Sequence, residues 1–179
     1  MSKNNPKLLS MNLLPIVLIV ALILGAGFLL IEGDVKLPWA KKDNTFSVRR
    51  LEGFPTTSYT DQQLPKQRLV IKSQKELEDF LKAADPSGNL ALGEKIDFDK
   101  EYLLGVSSET VDTQGYGIKV RKVYIDDQEN RLLASIRQTI PGENCTYDID
   151  PNIPVDLVAV EKTEKDVEFE SIKEFAECN

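Results

Sequence analysis

The sequence contains no histidine and only two cysteines. Histidine is the commonest general base and metal ligand in proteins, so its absence excludes Ser-His-Asp and Cys-His catalysis within this chain. Zinc sites of the usual cysteine and histidine composition are excluded for the same reason. The sequence also lacks a glycine-rich phosphate loop and a dinucleotide-binding fingerprint. We therefore expect the protein to hold no cofactor and no metal ion.

Long apolar runs are also absent, with one exception in residues 13–31, which read LLPIVLIVALILGAGFLLI. These 19 residues carry no charge. As a helix they span about 28 Å, close to the roughly 30 Å hydrocarbon core of a bilayer. They predict a transmembrane helix that follows a short cytoplasmic tail, residues 1–12. Long domains cross membranes largely regardless of charge, so we expect a single-pass membrane protein with a cytoplasmic N-terminus and an extracytoplasmic domain.

A cleaved signal peptide is the alternative for this segment. The apolar region of a signal peptide usually spans about 7–15 residues, and the present run is longer. Cleavage after Gly27 would also leave an apolar N-terminus, FLLI. No cysteine lies near the segment, which excludes a lipid-modified cysteine. The sequence therefore favours an uncleaved anchor.

The part of the chain that follows the apolar run is acidic. Residues 32–179 contain all 29 acidic residues and 20 of the 22 basic ones, a net charge of −9. This charge argues against nucleic acid as a partner and against electrostatic docking on anionic lipid. The length of this part suits one domain with a sizeable core.

Hydrophobic periodicity divides this part into a tether with a first strand and loop, residues 32–67, and a globular domain, residues 68–179. A capping box of Ser73 and Glu76 precedes apolar residues at helical spacing, which predicts an amphipathic helix. The remaining apolar segments alternate or form short runs, as β-strands do. The helix is expected over residues 74–84, and the strands over residues 46–51, 69–71, 102–106, 116–125, 132–140, 155–160 and 167–169.

The connections between the predicted strands are short and polar, as in residues 126–130, and such turns favour antiparallel pairing. The alternation slips near Arg121, which predicts a β-bulge. The predicted fold class is therefore α+β: an N-terminal transmembrane helix followed by one mostly antiparallel β-sheet domain with a single main amphipathic helix.

Five segments occur in an order that resembles a known family. They are SQKELEDFLK, IDFDKEYLLGV, TQGYGIKVRKV, IRQTIPGENC and IPVDLVAVEK, followed by a last strand and a terminal cysteine. Over residues 68–178 the chain resembles the C-terminal domain of the PrcB-like family, which is named for a protease-complex subunit. The family usually shows two glycines before the tyrosine of the third segment, where this sequence has Gly115 alone.

The resemblance implies a small, non-catalytic, β-rich domain that is exported or anchored at the cell surface. Because the founding role in the family is to stabilise a partner protease, we expect an accessory or stabilising subunit of an envelope protease complex. Its partner would be an envelope protein. Two alternatives from other classes are an envelope carbohydrate-active enzyme and a cell-wall glycan-binding module.

The two cysteines, Cys145 and Cys178, both lie in the predicted domain. An even pair in an exported domain predicts one disulfide, and the resembling family has cysteines at these two places. The alternative is two unrelated buried thiols in a cytoplasmic domain.

The loop TQGYG is the strongest candidate for a binding site. Gln114, Gly115, Tyr116 and Gly117 place an aromatic side chain between glycines, and aromatic residues on loops often anchor interfaces. We predict that these four residues bind the partner. The alternative is that Tyr116 packs in the core and the glycines serve only the turn.

Acidic residues form two loose groups that could in principle carry chemistry. Asp97, Asp99 and Glu101 would lie on one face of a strand, and paired carboxylates can hydrolyse glycosides or bind Ca²⁺. Apolar and basic residues interrupt this run, so the favoured interpretation is a solvated start of a strand. The second group receives the same interpretation and consists of Asp148, Asp150 and Asp156.

Overall fold

Ten strands and one helix follow one another in the part of the chain that the computed structural model describes, residues 45–178. The predicted tail, the predicted transmembrane helix and the first part of the predicted tether lie outside the described residues. No helix within residues 45–178 has the length and apolar character needed to cross a membrane. In chain order the elements are β1 (Thr45–Phe46), β2 (Val48–Arg50), β3 (Thr57–Tyr59), β4 (Gln67–Ile71), α1 (Gln74–Ala84), β5 (Glu101–Ser107), β6 (Val111–Thr113), β7 (Gly117–Asp126), β8 (Arg131–Pro141), β9 (Ile149–Glu161) and β10 (Val167–Ala176).

The helix α1 covers the predicted residues and begins as the capping box predicts. The Ser73 hydroxyl accepts a hydrogen bond from the backbone N–H of Glu76 at 3.3 Å. The Glu76 carboxylate reaches back and accepts from the backbone N–H of Lys72 at 2.6 Å. These bonds satisfy N–H groups that have no partner inside the helix. The buried face of α1 carries Leu77, Phe80 and Ala84.

The α+β class is confirmed, but the strands form two sheets where one was predicted. The first sheet has the order β1-β7-β8-β10, and the second sheet has the order β2-β9-β5-β4, with β3 and β6 also paired to β9. All pairs are antiparallel except β8 and β10, which run parallel. The parallel pair arises because the chain leaves β8, forms β9 in the second sheet and then returns to the first.

The domain has three layers: the first sheet, the second sheet and α1. The second sheet is the middle layer, because its central strands are buried on both faces. On β9, Leu157 packs towards α1, and Val158 packs towards the first sheet. The same alternation holds for Leu103 and Leu104 on β5. Strands buried on both faces show continuous apolar runs, as these do. One core therefore lies between the two sheets, and a second lies between the second sheet and α1.

The predicted first strand, residues 46–51, is in the structure two shorter strands that pair with different sheets. Phe46 of β1 lies opposite Val123 of β7, whereas β2 pairs with β9. The chain crosses between the sheets at Ser47, where no strand is assigned. This short segment therefore connects the edges of both sheets.

The predicted bulge near Arg121 is confirmed, since the register of β7 against β8 shifts between Val120 and Lys122. Asp156 of β9 accepts a hydrogen bond from the backbone N–H of Val120 at 2.7 Å. The same carboxylate oxygen binds Arg50 at 2.7 Å, and Arg50 also donates to the Val120 carbonyl. Asp156 is thus a buried structural residue, which corrects its interpretation as part of a solvated acidic group.

Candidate functional site

A cleft of about 210 Å³ opens at the end of the sandwich where β7 begins and β8 ends. Gly117 and Thr139 line it from the first sheet, and Pro154 lines it from the second. Tyr116 lies at its side with 37% of its surface exposed. The cleft therefore brings the TQGYG loop next to strand ends from both sheets.

Contacts with the start of β9 hold the TQGYG loop. The backbone N–H of Gln114 donates to the Asp148 carbonyl at 3.3 Å, and its side-chain amide donates to the Asp150 carboxylate at 2.8 Å. Gly115 has a φ of +90°, and a Cβ at this position would lie 2.4 Å from the Tyr147 ring. Glycine adopts this positive φ readily and has no Cβ to collide with the ring, so Gly115 allows the close packing of the loop on Tyr147.

Tyr116 does not take the core position that the sequence left open as an alternative. The first buried residue of β7 is Ile118, two positions further on. The exposed Tyr116 and the adjacent Gly117 both line the cleft, whereas Gln114 and Gly115 lie behind them and support the loop. Of the four predicted residues, Tyr116 and Gly117 therefore line the cleft, and Gln114 and Gly115 hold the loop in position.

The surroundings of the cleft are cationic, although the chain as a whole has a net charge of −7. Lys66 and Lys173 line the cleft, and Glu109 is the one carboxylate among the described residues that line it. Arg68 donates to the carbonyl of Ser107 at 2.5 Å, and the next residue, Ser108, lines the cleft. Burial lowers the pKa of the Arg68 guanidinium. Within residues 45–178, none of these three cations contacts a carboxylate.

The predicted disulfide is confirmed, and it lies close to the same end of the sandwich. Cys145 and Cys178 are joined, with their Cα atoms 5.3 Å apart. Cys145 belongs to a turn that follows β8, in which its backbone N–H donates to the Gly142 carbonyl at 3.0 Å. Cys178 follows the last strand, so the bond ties the end of β10 to the end of β8.

Of the first acidic group, Asp97 and Asp99 precede β5, and Glu101 is the first residue of that strand. Asp97 accepts hydrogen bonds from Lys100 at 2.7 Å and from the backbone N–H of Asp99 at 3.2 Å. The Lys100 hydrogen bond is the main reason why the pKa of Asp97 is lowered. Glu101 binds Arg49 at 2.6 Å. A general acid for glycoside hydrolysis needs a raised carboxyl pKa, and Asp97 has the opposite shift.

The sequence interpretation identified Tyr116 but missed the cations of the cleft. Lys66, Tyr116 and Lys173 are separated by about 50 residues at each step, and no local motif connects them. The pairing of β7, β8 and β10 brings Tyr116 and Lys173 to one end of the first sheet, and Lys66 reaches the cleft from the start of β4 in the second sheet. No group of three or more His, Cys, Asp or Glu side chains within the described residues is arranged to hold a metal ion.

Comparisons with known protein families, with curated proteins and with solved structures find no match for this chain. The resemblance to the PrcB-like family therefore stays a prediction that rests on the quoted segments.

Proposed function

We propose that this protein is a membrane-anchored, extracytoplasmic binding domain without catalytic chemistry of its own, and that it docks on an envelope protein through the cleft beside Tyr116. The observation that carries the proposal is an exposed tyrosine on a tightly held loop at the side of a cleft. Aromatic side chains in such positions supply much of the binding energy at protein interfaces.

The rigidity of the loop supports this proposal. The side chain of Gln114 binds Asp150, and Gly115 packs on the ring of Tyr147, so the backbone on the N-terminal side of Tyr116 is held from two directions. A surface that is ordered before binding loses less conformational entropy when a partner arrives. The loop is therefore suited to recognition.

The position of the cleft also supports docking. Thr45, where the described chain begins, lies opposite Tyr124 near the end of β7, and the cleft lies at the beginning of β7. A strand of ten residues spans roughly 33 Å, so the cleft and Thr45 lie at opposite ends of the sandwich. A partner at the cleft would therefore meet no obstruction from the residues around Thr45.

The proposed partner is an envelope protease, which this protein would serve as an accessory or stabilising subunit. The support for this part is the resemblance to the PrcB-like family over residues 68–178. The part-buried Arg50–Asp156 pair and the disulfide fit a stable scaffold that acts through its surface.

A photo-crosslinking experiment in intact cells tests the proposal. A photoreactive amino acid is placed at Tyr116 and, in a matched variant, at Tyr59, an exposed tyrosine of β3 that does not line the cleft. We expect one specific adduct from position 116 and none from position 59, and mass spectrometry would identify its protein. Tyr116→Ala should abolish capture of that protein without changing the thermal unfolding midpoint. Equal adducts from both positions would contradict the proposed site.

A further inference from the structure

The last strand, β10, is an edge of the first sheet and pairs only with β8 among the described residues. Its pairing runs without a shift over ten residues, from Val167 opposite Leu132 to Ala176 opposite Pro141. Its other side therefore presents a long, regular row of backbone N–H and C=O groups. Such an edge is a ready template for pairing with another extended segment.

Natural proteins usually protect an edge strand with charges, prolines, bulges or short length. β10 contains no proline and no bulge. Its three glutamates are held by side chains of β7 and β8 rather than directed past the edge. The contacts are Glu168 with Arg131 at 2.5 Å, Glu170 with the Tyr124 hydroxyl at 2.7 Å, and Glu174 with Arg137 at 3.1 Å.

The exposed apolar side chains of β10 are a further sign of an interaction surface. Ile172 is 49% exposed and Phe175 is 71% exposed. The disulfide after β10 holds the end of the strand against the turn that follows β8. The edge strand β10 therefore carries exposed apolar side chains, and the disulfide holds its end in place.

The charge next to this edge indicates the chemistry of the partner. Lys173 of β10 lines the cleft together with Lys66, which precedes β4, the edge strand of the second sheet. Arg68 of β4 binds the carbonyl of Ser107, the neighbour of the lining residue Ser108, and is half-buried without a carboxylate partner in the described part of the chain. Among the described residues that line the cleft, two lysines stand against one carboxylate, Glu109, and this excess of positive charge favours an acidic ligand.

A second copy of this chain is a poor occupant of the edge. Two β10 strands could pair antiparallel about a twofold axis. Residues at equal distances before and after the central residue then lie opposite one another, on the same face of the sheet. A register centred on Ile172 sets Glu170 against Glu174, and one centred on Ser171 sets Glu168 against Glu174. Like charges directly opposite one another destabilise a sheet.

We propose that the free edge of β10 and the adjacent cations bind an acidic, extended segment of the partner protein, which adds to the first sheet as a further strand. The backbone of β10 would supply the hydrogen bonds, and Lys66, Arg68 and Lys173 would select carboxylates. This inference rests on the proposed function and specifies the partner segment that the same end of the sandwich recognises.

Peptide binding to the full chain in mild detergent tests the inference. The probe is a labelled ten-residue peptide of alternating Glu and Val, and the matched probe has Lys in place of Glu. We expect saturable binding of the acidic peptide only, weakened at least tenfold between 50 and 500 mM salt because surface charge pairs are screened. Hydrogen exchange should slow within residues 167–176 on binding and stay unchanged in α1. Equal binding of both peptides, or protection confined to other residues, would overturn the inference.

Two controls separate charge from strand addition. The double variant Lys66→Gln with Lys173→Gln should bind the acidic peptide at least tenfold more weakly, and Lys75→Gln with Lys82→Gln, exposed lysines on α1, should bind it normally. A peptide of alternating Glu and Pro keeps the charge but cannot pair as a strand, and it should bind at least tenfold more weakly. Equal binding of the Glu-Pro peptide would overturn strand addition.

The failures of the two proposals are distinguishable. Loss of peptide binding with an intact adduct at Tyr116 would overturn the strand-addition inference and leave the proposed function standing. Loss of both the peptide and the adduct would reject the proposed function as well. Sedimentation of the chain as a dimer that the acidic peptide dissociates would show that a second copy occupies β10, and would also overturn the inference.

Discussion

At the scale of single residues, polar groups as well as apolar ones connect the two sheets of this fold. Asp156 is 7% exposed and is compensated by Arg50 and by the backbone N–H of Val120. Removal of one partner from such a pair leaves a buried charge, which costs far more than an exposed ion pair contributes. The bulge of β7 is therefore stabilised by a residue of β9 in the other sheet.

Gly105 is a buried position of β5 where a single added methyl group should be destabilising. A Cβ there would lie 2.9 Å from Ile71 Cδ1 and 3.0 Å from the Phe80 ring, so α1 and β5 have no room for it. We expect Gly105→Ala to lower the free energy of unfolding by about 1–3 kcal/mol, as overpacking of a core does. Urea denaturation of the variant and the parent measures this difference.

Gly93→Ala is the matched control for this prediction. Its Cβ would lie 3.5 Å from the Glu52 carbonyl, an ordinary contact distance. Its effect should stay within about 0.5 kcal/mol of zero, as for most surface substitutions. Equal losses of unfolding free energy for the two variants would show that the packing of α1 on Gly105 does not cause the destabilisation.

At the scale of elements, the ends of α1 and β10 depend on specific contacts. Asp85 caps the C-terminus of α1 and is buried. Burial by itself would raise the pKa of its carboxyl, but hydrogen bonds from Ser87 and from the backbone N–H of Leu90 outweigh it and lower the pKa. The charged carboxylate therefore organises the loop that follows α1.

This lowered pKa predicts a pH dependence of stability. Because the pKa of Asp85 is lower in the folded chain than in the unfolded chain, its contribution is fully present above the unfolded value of about 3.9. The contribution is lost as the pH falls through the lower, folded value. Thermal unfolding from pH 7 to pH 2 should show Asp85→Asn less stable than the parent at pH 7, with the difference narrowing below pH 4.

Asp79→Asn, on the exposed side of α1, is the control for this pH series. It should follow the parent at every pH. A constant difference between Asp85→Asn and the parent across the whole series would contradict a role for the Asp85 charge.

The disulfide should stabilise the fold by tying the end of β10. The bond closes a loop with a sequence separation of 33 residues. The chain-entropy relation gives about 3–4 kcal/mol for a loop of this size. We expect the double replacement of Cys145 and Cys178 by serine to lower the free energy of unfolding by a few kcal/mol. The parent treated with a reductant should lose the same amount.

Thiol counting checks the bond directly. Protein isolated from its native compartment should show no free thiol under denaturing, non-reducing conditions. Two free thiols would reject the bond in the cell.

At the scale of the whole molecule, two sheets and one helix place the cleft and the disulfide together at one end. Strands β5 and β9 lie in the middle layer and are buried on both faces. Because β10 returns to the first sheet after β9, the last strand becomes an exposed edge. The surface proposed to bind a partner is therefore a direct consequence of the order in which the strands are placed.

The predicted membrane anchor gives a further prediction. If residues 13–31 span a membrane with the N-terminus in the cytoplasm, residues 32–179 lie outside the cytoplasm. Proteinase added to intact cells or spheroplasts should then degrade the domain, with a cytoplasmic protein as the protected control. Protection of the domain until lysis would reject this orientation.

Local features of this protein were predictable from the sequence because they depend on neighbours along the chain. The capping box at Ser73 defined the start of α1, and the slip in alternation located the bulge near Arg121. The pair of cysteines predicted the disulfide. The glycines around Tyr116 indicated a loop but left open whether the tyrosine packs in the core, and the structure leaves it partly exposed.

Tertiary structure alone decided how these elements combine. Periodicity shows which face of a strand is buried but not which strand lies beside it, so the division into two sheets and the parallel pairing of β8 and β10 followed no local pattern. The Arg50–Asp156 pair joins residues 106 positions apart. The cleft likewise depends on Lys66, Tyr116 and Lys173, which meet only because long-range strand pairing brings distant segments of the chain to one end of the sandwich.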